Sequence, residues 1–261
     1  MDIQITSFQN PLVKRIRSLK YKKYRIREGC FWAEGIRSVL EAMETSWEIE
    51  YLIWSPEMLR SDLAREAIKA AAARTVTVSK PVFERLTMSE LPQGMGAMIR
   101  TPNRNLSQLP VTSDAFFVAL ENPQDRGNVG AVVRTIDCAG GQGVILLGQS
   151  VDPFDPAAIR ASMGAIFSTP IVRCTPQEFH EWNKENRLQL VGTSAHAKTG
   201  FRQANYSRPL VLLFGNERSG LSEDLQAAAN LLVQIPIQGR SSSLNLSAAV
   251  AVLAYQIQGA K

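Results

Sequence analysis

The stretch "LVLLFGNERSGLS" (Leu210–Ser222) runs five apolar residues straight into a loop of Gly, Asn, Glu, Arg and Ser. A short apolar run without polar alternation, closed by glycine, is the pattern of a strand covered on both faces, as in a parallel sheet. The same pattern recurs in "AFFVAL", "GVILLG", "TPIVRC", "LQLVGTS" and "LLVQIPI", with helical spacing between them near 128–140, 156–166, 177–186 and 222–230. The C-terminal part is therefore α/β with a parallel sheet flanked by helices. In such sheets ligands bind beyond the carboxyl ends of the strands. Three loops there carry chemistry-bearing residues: "ENPQDRGNVGAVVRTIDCAG" after "FFVAL", "NERSGLS" after "LVLLFG", and "QGRSSSLNLS" after "LLVQIPI". Each joins Gly or Ser to Asn, Arg or Glu, as a polar ligand approached closely by backbone requires.

Upstream, "CFWAEG", "YLIWS", "TVTVS" and "GAMIR" alternate with helical patterns over Ile36–Ser46 and Glu57–Ala73, the signature of a smaller α/β layer structure. Leu91–Pro110 collects Pro, Gly, Asn and Ser without periodicity, which places a linker near 101–111 and two domains at 1–104 and 111–261. The chain's 261 residues and 45% hydrophobic content suit two globular domains. No apolar run reaches the length of a membrane span, and Met1–Asn10 lacks the basic start and apolar stretch of a secretory signal, so a cytoplasmic protein is expected. Cys30, Cys138 and Cys174 are odd in number and widely spaced, which argues against a disulfide framework and a zinc site.

The net charge of +5 is carried by the first part of the chain, where residues 1–104 hold 17 Lys and Arg against 12 Asp and Glu; the remainder is balanced at 12 and 12. "VKRIRSLKYKKYRIRE" gathers Lys14, Arg15, Arg17, Lys20, Lys22, Lys23, Arg25 and Arg27 with Tyr21 and Tyr24 among them. Basic residues interleaved with aromatics suit a nucleic-acid backbone, and a solvated helix face is the plain alternative.

Other chemistries fit poorly. "RGNVGAVVRT" opens a helix after a strand, but GxGxxG is absent and no acidic residue follows at the ribose-binding distance of a nicotinamide enzyme. No GxSxG elbow occurs, and His180 and His196 have no nucleophilic partner in the sequence.

Taken in order and spacing, the three loops resemble the three motifs of the SpoU (TrmH) branch of the SPOUT RNA methyltransferases, over about 114–257. "SFQNPLVKRIRSL…FWAEGIRSVLEA" is similar to the L30e-like substrate-binding domain that precedes that domain in ribosomal RNA ribose methyltransferases of the family. The resemblance implies a C-terminal trefoil knot, S-adenosylmethionine as cofactor, homodimerisation, and methyl transfer to a ribose 2′-hydroxyl. It points to 23S ribosomal RNA, with a transfer RNA enzyme or a catalytically silent RNA-binding protein of the same fold as alternatives. It assigns Asn128 and Arg134 to the first motif, Glu217 to the second, Ser243 and Asn245 to the third, and backbone contacts with the cofactor to Gly215, Ile235 and Leu244. Arg134 is expected to grip a phosphate and stabilise alkoxide, Asn128 to orient Arg134 or the ribose, and Glu217 to fix the arginine or a hydroxyl. Ser243 and Asn245 are expected to hold the knot loop and target nucleotide. Lys14, Arg15, Lys20, Lys22, Lys23 and Arg25 are the expected RNA contacts.

Several of these residues have plain local readings as well: Arg134 suits a surface ion pair, Glu217 a helix start, and Gly215 and Gly220 turns. Asn128 suits a helix N-cap, and "SLNLSAAVAVLAYQ" (Ser243–Gln256) begins with capping residues before a helix apolar over more than one face, which must be buried.

Overall fold

A computed structural model of the chain describes residues 4–259, which divide into two compact units. The first contains α1 (Pro11–Ser18), α2 (Lys22–Glu28), β1 (Cys30–Glu34), α3 (Ile36–Glu44), β2 (Ile49–Trp54), α4 (Asp62–Ala70), β3 (Arg74–Thr77), α5 (Lys80–Leu86) and β4 (Met95–Arg100). The chain continues through a 3-10 turn at Leu106–Gln108 into β5 (Phe116–Glu121), α6 (Arg126–Cys138), β6 (Gly143–Leu147), α7 (Pro156–Ser162), β7 (Ile171–Cys174) and α8 (Pro176–Asn186). It closes with β8 (Gln189–Thr193), β9 (Thr199–Gly200), β10 (Leu210–Phe214), α9 (Glu223–Ala228), β11 (Leu231–Gln234) and α10 (Leu246–Gly259).

The first unit is a four-stranded sheet of order β1-β4-β2-β3, in which only β2 and β3 run parallel. Asn10 starts α1 by accepting from the Leu12 amide at 2.9 Å, and Val13 and Ile16 turn inward with Trp32, Ile53 and Phe83. Segment Phe154–Ser168, with α7, also belongs to this unit, so the second unit is interrupted in sequence. Its anchors are specific: Phe154 stacks on Phe31 at 4.9 Å between ring centroids, Trp47 donates to the Phe167 carbonyl at 3.0 Å, and Asp155 pairs with Arg25 at 3.1 Å. The periodicity extends this helix to 166, but α7 stops at Ser162, where Met163 and Gly164 take left-handed backbone (φ 51° and 97°) and break the ladder. Likewise the helix expected over Glu57–Ala73 is shorter, because Ser61 caps it at the Ala64 amide.

The second unit is a seven-stranded, wholly parallel sheet of order β7-β6-β5-β10-β8-β11-β9. β6 and β10 are buried along their whole length, and β5 over all but its last residue, which explains their uninterrupted apolar sequences. From β5 the chain moves outward through β6 and β7, whereas β8, β11 and β9 lie on the other side of β10. The loops after β5 and β10 therefore leave from adjacent strands at the point where the winding reverses, the crevice in which parallel sheets bind ligands. α10 packs on α6 and β10. Its Leu246, Val250, Leu253, Ala254 and Ile257 are buried, while Ala248 and Tyr255 (56% exposed) lie on an uncovered face. The expectation of an all-round buried helix thus holds on one side only within this chain.

Candidate active site

The loop after β5 begins with a backbone exception. Asn122 has φ 46°, a left-handed conformation that asparagine tolerates better than most residues. Its Oδ1 accepts from the Gln149 amide at 2.7 Å, and its carbonyl accepts from Nδ2 of Asn216 at 2.8 Å. Asn122 thereby ties together the loops after β5, β6 and β10. Asp125 then caps α6, its Oδ1 accepting from the Asn128 amide at 2.7 Å. Capping therefore falls to Asp125, three residues before Asn128, and leaves the Asn128 side chain available.

That side chain is the centre of the site. Oδ1 of Asn128 accepts from Nδ2 of Asn245 at 2.9 Å, and its own Nδ2 donates to Oε1 of Glu217 at 3.4 Å. Glu217 also receives the amides of Gln124 (3.2 Å) and Asp125 (3.3 Å). Among the described residues its partners all belong to the first motif segment, so it braces that segment, and no bond joins it to Arg134. Asn245 also starts α10, its Oδ1 accepting from the Ser247 amide (2.9 Å) and hydroxyl (2.7 Å). One residue from each motif, up to 117 positions apart in sequence, thus meets in one hydrogen-bonded chain.

Beside this chain lies a cavity of about 710 Å³. Its walls come from the end of β8 and the residues after it (193–196), the end of β10 and its following loop (214–221) and the approach to α10 with its first residue (242–246), and Asn128 reaches it as well. Gly215 lines it where the chain folds back on itself. A Cβ there would stand 1.9 Å from the Gly220 carbonyl carbon and the Leu221 nitrogen, so only glycine fits. The same turn is closed by the backbone bonds between Asn216 and Gly220 at 2.9 and 3.0 Å, with Gly220 at φ 72°. Ser243 and Leu244 also line the cavity; Ile235, half-buried just beyond β11, does not. These residues fit S-adenosylmethionine. The volume lies within the range of small-ligand sites, the lining comes mostly from loop segments with Phe214, Leu221 and Leu246 among its apolar residues, and the lack of a Cβ at Gly215 leaves its main chain open to close approach.

Arg134 lies two turns along α6 from Asp125, exposed and without a hydrogen bond or ion pair among the described residues. On the same helix side Ala131 is half-buried and Cys138 exposed. Asn122, Asp125 and Asn216 were not singled out from sequence. All three stand inside the quoted loops, but their roles depend on which amide each side chain faces.

In the first unit the basic run divides. Lys14, Lys20, Lys22 and Lys23 are exposed, with Lys20 over Tyr21 (4.8 Å) and Lys23 over Tyr24 (4.9 Å). Arg25 is only 3% exposed; it donates to the carbonyls of Leu19 (2.8 Å) and Lys20 (3.0 Å) and pairs with Asp155. Arg15 pairs with Glu28 at 3.0 Å and with Glu50. Both arginines serve the fold, and the lysines carry the accessible charge.

The comparisons agree with this geometry. Residues 115–255 match the SpoU rRNA methylase family, and residues 10–97 the MRM3-like substrate binding domain. A curated relative, the 23S rRNA (uridine(2479)-2′-O)-methyltransferase of Streptomyces viridochromogenes, is 30% identical over 89% of this chain and 83% of its own length. The 23S rRNA (guanosine(2553)-2′-O)-methyltransferase of Bacillus subtilis is 28% identical over 98% of this chain and 99% of its own. Among solved structures, the AdoMet-bound rRNA methyltransferase of Sinorhizobium meliloti superposes with a TM-score of 0.90 at 32% identity, covering 99% of this chain and 98% of that one. The chain belongs to the SpoU rRNA methylase family, with an N-terminal substrate-binding domain, and is an S-adenosylmethionine-dependent RNA 2′-O-methyltransferase.

Proposed function

We propose that the enzyme methylates a ribose 2′-hydroxyl of 23S ribosomal RNA in the cytoplasm, as a homodimer, with substrate capture in the first unit and chemistry in the second. The observation that carries the catalytic assignment is the Asn245–Asn128–Glu217 chain beside the Gly215 cavity. The relatives' names favour ribosomal RNA, and because they specify different nucleotides they do not transfer a target position.

A ribose hydroxyl is a weak nucleophile near neutral pH, so the site must align it and accept one proton. When bound, the cofactor supplies a methyl group on a sulfonium, already a good electrophile. Arg134, exposed and without a hydrogen bond among the described residues, grips a substrate phosphate with its planar fork and stabilises the developing alkoxide; the phosphate or a water takes the proton, since a guanidinium does not act as a base. Asn128 and Asn245 position the ribose, Glu217 holds the first loop in place, and Ser243 with the backbone of Gly215 and Leu244 faces the cofactor. Ile235 contributes through the turn that follows β11. The trefoil knot belongs to the same proposal; it is supported by the path of residues 235–245 from β11 to the start of α10, beside the loop after β10.

Dimerisation is supported by the uncovered face of α10 around Tyr255 and by the exposed side of α6 bearing Arg134. Sedimentation at micromolar concentration should give a dimer, and a monomer would remove this part. Mapping of 2′-O-methyl positions in ribosomal and transfer RNA, from cells with and without the gene, should show one site lost from 23S RNA. Loss from a transfer RNA instead would overturn the substrate.

A further inference from the structure

The first unit holds a second cavity, of about 670 Å³, at the start of α3 and away from the basic run. We propose that it receives an extruded guanosine nucleotide of the RNA substrate, a proposal that rests on the reading of the chain as an RNA enzyme.

The phosphate end is set by α3. This helix begins at Gly35 without a side-chain cap; Gln93 takes the Ile36 amide at 2.9 Å, and the Arg37 and Ser38 amides have no acceptor among the described residues. A helix start with open amides favours an anion. Ser38 supplies an independent sign. It is only 7% exposed and lines the cavity, and its hydroxyl has no partner among the described residues. A hydroxyl on a cavity wall that holds no protein partner can bond a ligand placed there. Arg37 and Arg160, both exposed and neither in an ion pair among the described residues, reach the same cavity.

Carboxylates distinguish a nucleotide from a bare anion. Glu34, Glu41 and Glu44 also line the cavity and would repel free phosphate. Glu34 is occupied, accepting from the Met88 amide at 3.1 Å and from Trp32 Nε1 at 3.4 Å, whereas Glu41 has no hydrogen bond or ion pair among the described residues. A carboxylate pairs best with two N–H donors side by side. Among RNA bases only guanine presents such a pair, at N1 and N2. Apolar surface for the base is present too: Leu91 (86% exposed) and Met163 (40% exposed) rim the cavity. RNA is commonly read through unstacked bases held this way.

The test uses the full chain and follows the backbone amide resonances of Arg37 and Ser38. Three ligands are added separately: a single-stranded RNA heptamer with one central guanosine, an all-adenosine heptamer, and inorganic phosphate. The guanosine heptamer should shift both resonances and bind about tenfold more tightly than the adenosine heptamer, with Glu41→Gln removing most of that preference. Arg37→Ala with Arg160→Ala should weaken both heptamers, while S-adenosylmethionine affinity, measured by calorimetry as a check on folding, stays within about twofold. Equal binding of the two heptamers, shifts produced equally by phosphate, or unmoved resonances would each overturn the proposal. Methyl transfer by the parent enzyme to a 23S transcript is measured apart, so failure of the substrate assignment is distinguishable from failure of this site.

Discussion

The basic run of α1 and α2 and the cluster at the carboxyl edge of the parallel sheet are opposite kinds of signal. In the first, eight cations stand within 16 consecutive residues, Val13–Glu28. Yet Arg25 is spent on two carbonyls and Asp155, Arg15 on Glu28 and Glu50, and Arg27 pairs with Glu28 at 2.8 Å. In the second, Asn128, Glu217 and Asn245 are scattered along the chain and come together within hydrogen-bonding distance. Density in sequence therefore measures the field of a stretch, not which of its charges are available. Residues brought together from different strand ends are available because the sheet's winding exposes them.

The largest effect expected from this contrast is at Arg134, an arginine with no hydrogen bond or ion pair among the described residues. Arg134→Ala should lower methyl transfer by roughly a hundredfold to a thousandfold, with melting temperature and S-adenosylmethionine affinity close to the parent's. Arg134→Lys should recover little, because a point charge lacks the fork that fixes a phosphate. Parent-like turnover in the lysine variant would show that bidentate alignment is not this residue's role.

Arg25 should behave in the reverse way. Removing it takes the guanidinium away from Asp155, a carboxylate whose side chain is 11% exposed, and frees the carbonyls of Leu19 and Lys20, the first of them in a buried bond. Arg25→Ala should therefore cost about 3 kcal/mol in chemical denaturation. RNA affinity per folded molecule should change little. A stable variant with weakened RNA binding would return Arg25 to the interface.

Much of this fold was legible because fully buried parallel strands write themselves as apolar runs, and each run read in the C-terminal part is a strand in the second unit. The three loops were legible for the same reason, as the polar residues that interrupt such runs. What stayed hidden depends on partners remote in sequence. Nothing near Phe154 shows that it stacks on Phe31, so α7 reads as part of the later domain although it packs in the first unit. Asn128 looks like a cap until Asp125 is seen to take that role. Glu217 shows no sign in sequence that its acceptors face backbone amides of the first loop.

A smaller effect is expected from the exposed lysines. Replacing Lys14, Lys20, Lys22 and Lys23 together by Ala removes charge that contributes nothing to the core, so stability should stay within about 0.5 kcal/mol. RNA affinity should fall for every sequence alike, and its salt dependence should flatten by roughly one unit of slope per lost phosphate contact. An unchanged slope would make the run a solvated helix face and shift RNA capture elsewhere in the first unit.

The smallest effect sharpens the reading of Arg15 as a structural residue. The hydrogen bond from Arg27 and then that from Arg15 hold Glu28 below the usual carboxylate range. For Glu50, burial pushes upward, but hydrogen bonds from Arg15 and Cys30, with the nearby charges of Arg15 and Arg100, bring the carboxyl below its ordinary value. Both carboxyls are thus more acidic folded than unfolded. Their contribution is present above the unfolded value of about 4.3 and is lost as pH falls through the lower folded value. Between pH 6 and pH 3 the urea midpoint of the parent should drop further than that of Glu28→Gln, whose side chain cannot titrate. Parallel curves for the two proteins would mean that the bonds from Arg27 and Arg15 to Glu28 hold no pH-dependent stability, which would leave Glu50 as the carboxylate that ties Arg15 to the fold.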